Sequence, residues 1–416
     1  MRVLYKYWLV ILFALVSVMF LFLSINQAYQ ENEKGDYYIY WITGQKFLSG
    51  ERIYEFGKED GTFIYPPFAA MFFSLFAAKP FHISAVYYSY LINFGLWVLS
   101  LWLIWKILKN RFPFTNIVLP FIIGVLCSAR YYWHNFIWMQ ANLPVLCATL
   151  GGIYYHFKGN RNASYFLLLA GAFFKVTPIL ILGFLLLKGR LKDWWRVVVL
   201  SMPFLLLPFA ARGPATGLQD WIDYYHSFLT PFASGKVDGD LISLGLPSFL
   251  DKLNVGNEGL GIQALSFANE TSLKTIILLV NLAVLLLVTL KIFWDGWELP
   301  LCGTDFCMLL LLILLLPGRV WEHHHLTLGF IIAYLMAGLH TLKKTRKWIW
   351  FALPLLITGL IGTDTIGAKL YDYTQQFSLI TLIVLYLLIL LFCFGKKSES
   401  ESFYRRIRFL CAKHII

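Results

Sequence analysis

Charge is scarce in this chain. Of its 416 residues only 14% are Asp, Glu, Lys or Arg, where a soluble domain carries about 25%. Acids are scarcer still, 23 against 35 Lys and Arg, a formal net charge of +12. The six cysteines lie in or beside apolar stretches at no zinc-like spacing, so neither a disulfide framework nor a metal cluster is implied. No HExxH and no paired-carboxylate pattern is present, and no internal repeat of the kind found in secondary transporters. What fills the space is apolar: 59% of the residues, with a mean hydropathy of +0.66. Soluble, disordered, collagen-like and disulfide-scaffold classes are excluded. The composition is that of an all-α polytopic membrane protein.

The basic excess does not point to nucleic acid, because it sits in short connectors between apolar segments, as the positive-inside rule expects. Those connectors are Lys106/Lys109/Arg111, Lys158/Arg161, Lys188/Arg190/Lys192/Arg196 and Lys343/Lys344/Arg346/Lys347. Placing them with Arg2 and Lys6 on the cytoplasmic side predicts about 12 crossings and both termini inside. The run from Trp8 to Ile25 reads as an uncleaved first helix. Two segments then cannot simply cross. Residues 63–79 form a juxtamembrane or re-entrant helix, and 164–188 are two short helices broken at Lys175-Val176-Thr177-Pro178. Proline disfavours a helical predecessor, and a lysine in mid-bilayer costs about 2.5–3.5 kcal/mol. The polar, aromatic-rich stretches (27–61, 130–142, 212–273, 317–325) fall on the outer face, where any chemistry is expected.

Four features there can carry it. Asp36 precedes an amphipathic stretch rich in Tyr and Trp; it can serve as a general base for an incoming hydroxyl or simply begin a helix. Glu31, Glu33, Glu51 and Glu55 compete for the same role. The patch Arg130-Tyr131-Tyr132-Trp133-His134-Asn135, then Gln140-Ala141-Asn142, offers a phosphate partner, polar groups and rings for a sugar, or an interfacial girdle. Lys175 is an ionisable group inside an apolar segment, which marks a site by default and suits an anionic head group. Pro317-Gly318-Arg319-Val320-Trp321-Glu322-His323-His324-His325 invites a metal reading. Successive helical residues point about 100° apart, however, so polar contacts from Arg319, His323 and His324 into a shared cavity are preferred, and no metal is expected. The loop 212–273 reads as a lid without a catalytic pattern of its own.

Glycoside hydrolysis needs two carboxylates. Transfer from a lipid-linked sugar phosphate needs one base and a cationic clamp, since the phosphate already leaves well. The run Gly35-Asp36-Tyr37, Gly50-Glu51-Arg52-Ile53-Tyr54 and Tyr65-Pro66-Pro67 resembles the family-87 glycosyltransferases, the DUF2029 group of the GT-C superfamily. Gln140-Ala141-Asn142 is similar to that family's G-Q-x-N, with Met139 in place of Gly. Ala170-Gly171 with Lys175-Val176-Thr177-Pro178 is similar to its A-G and K-x-x-P, and Pro317, Trp321-Glu322-His323 to its P-x-x-W-x-H. The resemblance covers roughly residues 30–340.

It implies a GT-C-type helical bundle over 1–395, with a catalytic outer loop and juxtamembrane helices at 27–84 and a long outer loop at 212–273. A basic cytoplasmic tail at 396–416 would follow. It implies an inverting hexosyl transfer, commonly of mannose, from a polyprenyl-phosphate donor to a glycan or glycolipid acceptor. The reaction would run on the outer face of a bacterial plasma membrane, without a cofactor, with Asp36 as base. Lys175, Arg130, Arg319, His323, His324, Gln140 and Asn142 would contact donor phosphate or sugar. Tyr37, Tyr65, Trp133 and Trp321 would supply aromatic platforms. The rival readings are a flippase or transporter of polyprenyl-linked saccharides, and an O-antigen-ligase-like transferase taking a diphosphate-linked donor.

Overall fold

A computed structural model describes residues 2–29, 35–55, 62–230, 237, 240–294, 296–297, 299–341, 353 and 355–395. Glu31, Glu33, the basic cluster 343–347 and the expected tail 396–416 lie outside the described residues. Among those described there is no strand beyond one isolated bridge, Asn257 to Ile262; the rest is helix and connection.

The helices, in order, are α1 (Arg2–Ala28), α2 (Tyr37–Ser49), α3 (Pro67–Ala77), α4 (Phe81–Arg111), α5 (Val118–Ile137) and α6 (Asn142–Phe157). Then come α7 (Arg161–Phe174), α8 (Ile179–Leu187), α9 (Leu191–Arg212), α10 (Pro214–Tyr224), α11 (Leu246–Val255) and α12 (Glu270–Trp294). The last are α13 (Gly303–Leu315), α14 (Leu328–Thr341), α15 (Ala368–Gln376) and α16 (Leu379–Phe394). A short 3-10 turn, Glu322–Thr327, leads into α14.

Burial sorts these elements. α13 and α14 are covered almost all round and form the centre of the main core. α9 and α12 bury few residues and present Val199, Leu206, Leu279 and Leu286 outward. A long helix with an exposed apolar surface is what a bilayer accommodates. Small residues let α5 and α14 cross closely: a Cβ on Gly124 would strike the Gly329 carbonyl and Ala333, the kind of contact that substitutes for the hydrophobic effect inside lipid.

Among the described residues three helices, α4, α9 and α12, are long and apolar enough to cross a membrane, and the bent pair α15–α16 would make a fourth. That is fewer than the 12 segments read from hydropathy. The physical reason lies in interruption: α8 has 9 residues and α13 has 13, well short of the roughly 20 a simple span requires. Residues 63–79 contain only α3, of 11 residues, and 164–188 do break into α7 and α8 at Lys175, whose backbone is extended (φ −153°, ψ 124°).

The two ends of the bundle differ in chemistry. At one end Asp193 receives Arg161 (2.7 Å), Arg196 (2.6 Å) and the Arg190 N–H (2.9 Å), and Lys188 donates to the carbonyls of Ile292, in the last turn of α12, and Gly296, just beyond it. At the other end of α9 Arg212 pairs with Asp220 (2.9 Å) and donates to the carbonyls of Lys46, Phe47 and Glu51. It thereby fixes the C-terminus of α2. The bidentate pair Arg52–Asp223 (2.5 and 2.7 Å) adds a second tie, between the segment after α2 and α10.

One buried cation organises the rest of that end. Lys252, 2% exposed, donates to the carbonyls of Leu241 (2.8 Å), Ser243 (2.5 Å) and Gln375 (2.9 Å). It thus joins α11 and the segment before it to the α15–α16 corner. Lys252→Met should destabilise the fold by about 3 kcal/mol, because buried carbonyls lose their donor. Removing the exposed Lys274–Glu270 pair should leave stability unchanged. Equilibrium unfolding in detergent would check both; equal effects would overturn the assignment.

Candidate functional site

Asp36 is set by backbone before it is set by side chain. Gly35 has φ +61°, and a Cβ there would press on the Trp138 carbonyl, which accepts the Asp36 N–H at 3.1 Å. Only glycine adopts that conformation freely at such close approach. The facing turn pays in kind: Met139 holds φ +46°, a position where L-residues are strained. This accounts for the glycine usual at the matching place of the motif it resembles. Met139 side-chain burial in the first-loop core offsets the strain here.

The half-buried Asp36 carboxylate accepts a hydrogen bond from the Gln140 amide. Gln140, 1% exposed, accepts in turn from the Tyr40 hydroxyl (3.1 Å), which meets the Tyr65 hydroxyl (3.1 Å). Its backbone carbonyl takes the Tyr88 hydroxyl (3.2 Å). Tyr54 donates to the Tyr65 carbonyl (2.6 Å), so the Gly50–Tyr54 and Tyr65-Pro66-Pro67 motifs lock each other. Burial raises the Asp36 pKa above the ordinary carboxylate value; the Gln140 hydrogen bond and the positive fields of Lys175 and Arg319 pull it back.

Tyr65 is where this chain of hydrogen bonds reaches a cavity of about 350 Å³. Its lining combines apolar residues, Leu310, Ile313, Leu316, Ile179 and Leu180 among them, with Asn142, Lys175, Arg319, Trp321, His323 and His324. The Lys175 side-chain amine stands in the turn between α7 and α8. It is held by Asn142 Oδ1 (2.8 Å) and His324 Nε2 (2.7 Å), and lies 5.5 Å from the Tyr65 ring centre. His324 Nδ1 accepts the Trp321 N–H (2.9 Å), so the neutral ring carries its proton on Nε2. Its contact with Lys175 therefore requires the amine to accept, which only neutral lysine can do. Burial lowers the Lys175 pKa to about 7, against the opposing pull of Asp36, so the neutral form is accessible. Arg319 lies over the Trp321 ring at 4.7 Å.

A second carboxylate stands behind this wall. Glu322, 5% exposed, accepts from Tyr371 (2.5 Å) and Gln375 (3.3 Å) on Oε1, while Oε2 faces Arg130 and His134, each at 3.8 Å. Burial raises its pKa. Sequence reading treated Glu322 only as part of the histidine run, although the rule that flagged Lys175, an ionisable group in an apolar setting, applies to it equally.

The structure thus brings together Asp36, Gln140, Asn142, Tyr65, Lys175, Arg319, Trp321, His323 and His324. Arg130 is turned to Glu322 and the Tyr371 ring and does not line the cavity. Tyr37 is fully buried, stacked on Tyr88 at 4.6 Å with its hydroxyl on Ser84, and has no face open to a ligand. Trp133 is 42% exposed on α5, away from the cavity wall. Of the competing acids, Glu51 and Glu55 are exposed, Glu51 hydrogen-bonded to Ser49 and Glu55 paired with Lys46. Among the described residues no group of three or more His, Cys, Asp or Glu side chains is arranged to hold an ion.

A family model, glycosyltransferase family 87, matches residues 63–317. No curated protein and no solved structure matches the chain significantly.

An activity that needs Asp36 ionised and Lys175 charged should follow a bell in pH. Its rate in kcat/KM rises as pH climbs through the raised Asp36 pKa, then falls through about 7 as Lys175 loses its proton. Gln140→Leu removes the hydrogen bond that lowers the Asp36 pKa and should shift the acid limb upward, leaving the alkaline limb in place. A profile whose acid limb does not move in that variant would break the link between Gln140 and Asp36.

Proposed function

The chain belongs to glycosyltransferase family 87, and from that premise we propose that it transfers a hexose, mannose before others, from a polyprenyl-phosphate donor to an acceptor hydroxyl. The observation that carries this reading is the mixed lining of the cavity, apolar at Leu310, Ile313 and Leu316 and polar at Lys175, His324 and Arg319. An isoprenoid chain suits the apolar residues, and a phosphodiester suits the cations.

In this reading the donor enters from the bilayer and the acceptor from the water side, where Asp36 is half-exposed. The acceptor oxygen attacks C1 of the sugar as Asp36 takes its proton. The C1–O bond to phosphate breaks, and the electron pair leaves on the phosphate oxygen. A single displacement inverts the anomeric centre. The charge gained by the departing lipid phosphate is stabilised by Arg319 and by Lys175, whose protonated form a bound phosphate favours over the neutral amine that accepts from His324. Nothing in the step calls for a metal.

The orientation follows the positive-inside argument: the Arg161/Lys188/Arg190/Arg196 end is cytoplasmic, both termini with it, and the cavity opens outward, in a bacterial plasma membrane. The short helices α7, α8 and α13 then belong to a bundle of about 12 passes in which several are broken. A flippase would use the same cations, but its usual internal repeats are missing from the sequence.

The test is transfer of radiolabelled mannose from synthetic polyprenyl-phosphate-mannose in membranes, wild type against Asp36→Asn. Loss of about 10²–10⁴-fold is expected for a base, while Lys175→Met should raise the KM for donor. Full transfer by Asp36→Asn at equal expression would remove Asp36 from the reaction.

A further inference from the structure

His323 lines the cavity, and its Nε2 is buried without a hydrogen-bond partner. Which way that atom works, as donor or as acceptor, is decided by the groups behind it. His323 Nδ1 meets His134 Nδ1 at 3.3 Å, the two rings lying near parallel (19°) with centres 5.5 Å apart. Two Nδ1 atoms in contact can share only one proton, so one ring donates and the other accepts.

The far side of His134 settles the choice. Its Nε2 faces Glu322 Oε2 at 3.8 Å, too long for a hydrogen bond but close enough for the carboxylate field to act. The other oxygen, Oε1, already receives Tyr371 and Gln375. A bare Nε2 would set its lone pair against the carboxylate, so the proton of His134 sits on Nε2. Its Nδ1 is then the acceptor, His323 Nδ1–H is the donor, and His323 Nε2 is left bare.

We propose that Glu322 and His134 are positioning residues that hold His323 in the tautomer with a bare Nε2, making it a hydrogen-bond acceptor for a hydroxyl of the transferred sugar. The ligand class rests on the reading under Proposed function; the relay rests on geometry alone. The division of labour is chemical. Arg319, and Lys175 once protonated, present donors, which suit phosphate oxygens. His323 Nε2 presents a lone pair, which a phosphate would reject and a sugar hydroxyl would fill. Neither His134 nor Glu322 touches the sugar.

Glu322→Gln gives the sharpest test, because it inverts the relay without changing its shape. Tyr371 and Gln375 keep the amide oxygen at the Oε1 position, so the positive N–H groups of the amide face His134 Nε2 and favour a bare nitrogen there. His134 must then carry its proton on Nδ1, and His323 becomes protonated on Nε2. Histidine-selective ¹⁵N spectroscopy of the full chain in micelles, with the His323 signals assigned by their loss in His323→Gln, reads the tautomer without any activity. Wild type should show Nδ1 protonated and Nε2 bare, and Glu322→Gln the reverse. A wild-type His323 protonated on Nε2 overturns the relay, whether or not the variant folds.

Binding of two lipids separates the ligand assignment from the relay. Glu322→Gln should weaken polyprenyl-phosphate-mannose about tenfold, the worth of one hydrogen bond, and leave polyprenyl phosphate alone unaffected. Equal loss for both lipids, or no loss for either, overturns the sugar-hydroxyl role. If wild type binds neither lipid, the donor reading fails and takes the hydroxyl assignment with it, while the tautomer result still decides the relay.

Discussion

The candidate site depends on keeping apart two groups that can carry opposite charge. Asp36 and Lys175 feel each other's fields, yet neither is bonded to the other. Each is held instead by a neutral amide: Gln140 donates to Asp36, and Asn142 accepts from Lys175. The two amides are two residues apart on one turn, so a single backbone feature spaces both charges. A direct salt bridge would be the lower-effort solution, but it would occupy both the carboxylate proposed to take a proton and the cation proposed to meet an anion. Neutral spacers leave both available, at the cost of burying charge that is only partly compensated.

That arrangement explains which parts of the site could be read in advance. Lys175 stood out because a cation in an apolar run has few structural excuses, and the proline three residues on marked the break. Gln140 and Asn142 were read as donor-binding groups because polar side chains near aromatic ones suit sugars. In the structure their hydrogen bonds are spent on Asp36 and Lys175, and only Asn142 also lines the cavity. Tyr37 follows a candidate base and so looked like a platform. Its ring is one helical residue on from Asp36, which points it into the first-loop core rather than along the carboxylate. Glu322 was hidden by its neighbours, since three histidines dominate the eye and the chemistry of an isolated glutamate is visible only once Arg130, His134 and Tyr371 converge from two other helices.

The helical class was legible from composition, because a chain so apolar must satisfy its backbone internally and helices do so locally. Which apolar stretches form unbroken helices was not. Hydropathy reports how apolar a stretch is, not whether it continues straight, and the decisive interruptions are local: the extended Lys175, the Pro317–Trp321 turn before α14, and the left-handed Ser378 (φ +42°) between α15 and α16. These breaks fall where buried side chains can take up the freed backbone groups. Gly318 has its carbonyl bound by Ser248 (2.7 Å), and Gln375 by Lys252.

Breaks of this kind are also the reason the site can be rigid. A loop at the edge of a bilayer would ordinarily be the mobile part of a membrane protein. Here Arg212 fixes the end of α2, Arg52 ties the first loop to α10, Tyr54 pins the Tyr65 carbonyl, and Lys252 with Ser243 and Ser248 clamps the segment leading to Arg319. None of these residues lines the cavity. Each instead holds a stretch of backbone that does, or that carries Asp36. The cations and the carboxylate are therefore positioned by irregular chain stabilised from behind, which concentrates polar atoms at one end of a bundle whose remaining surface is left to lipid.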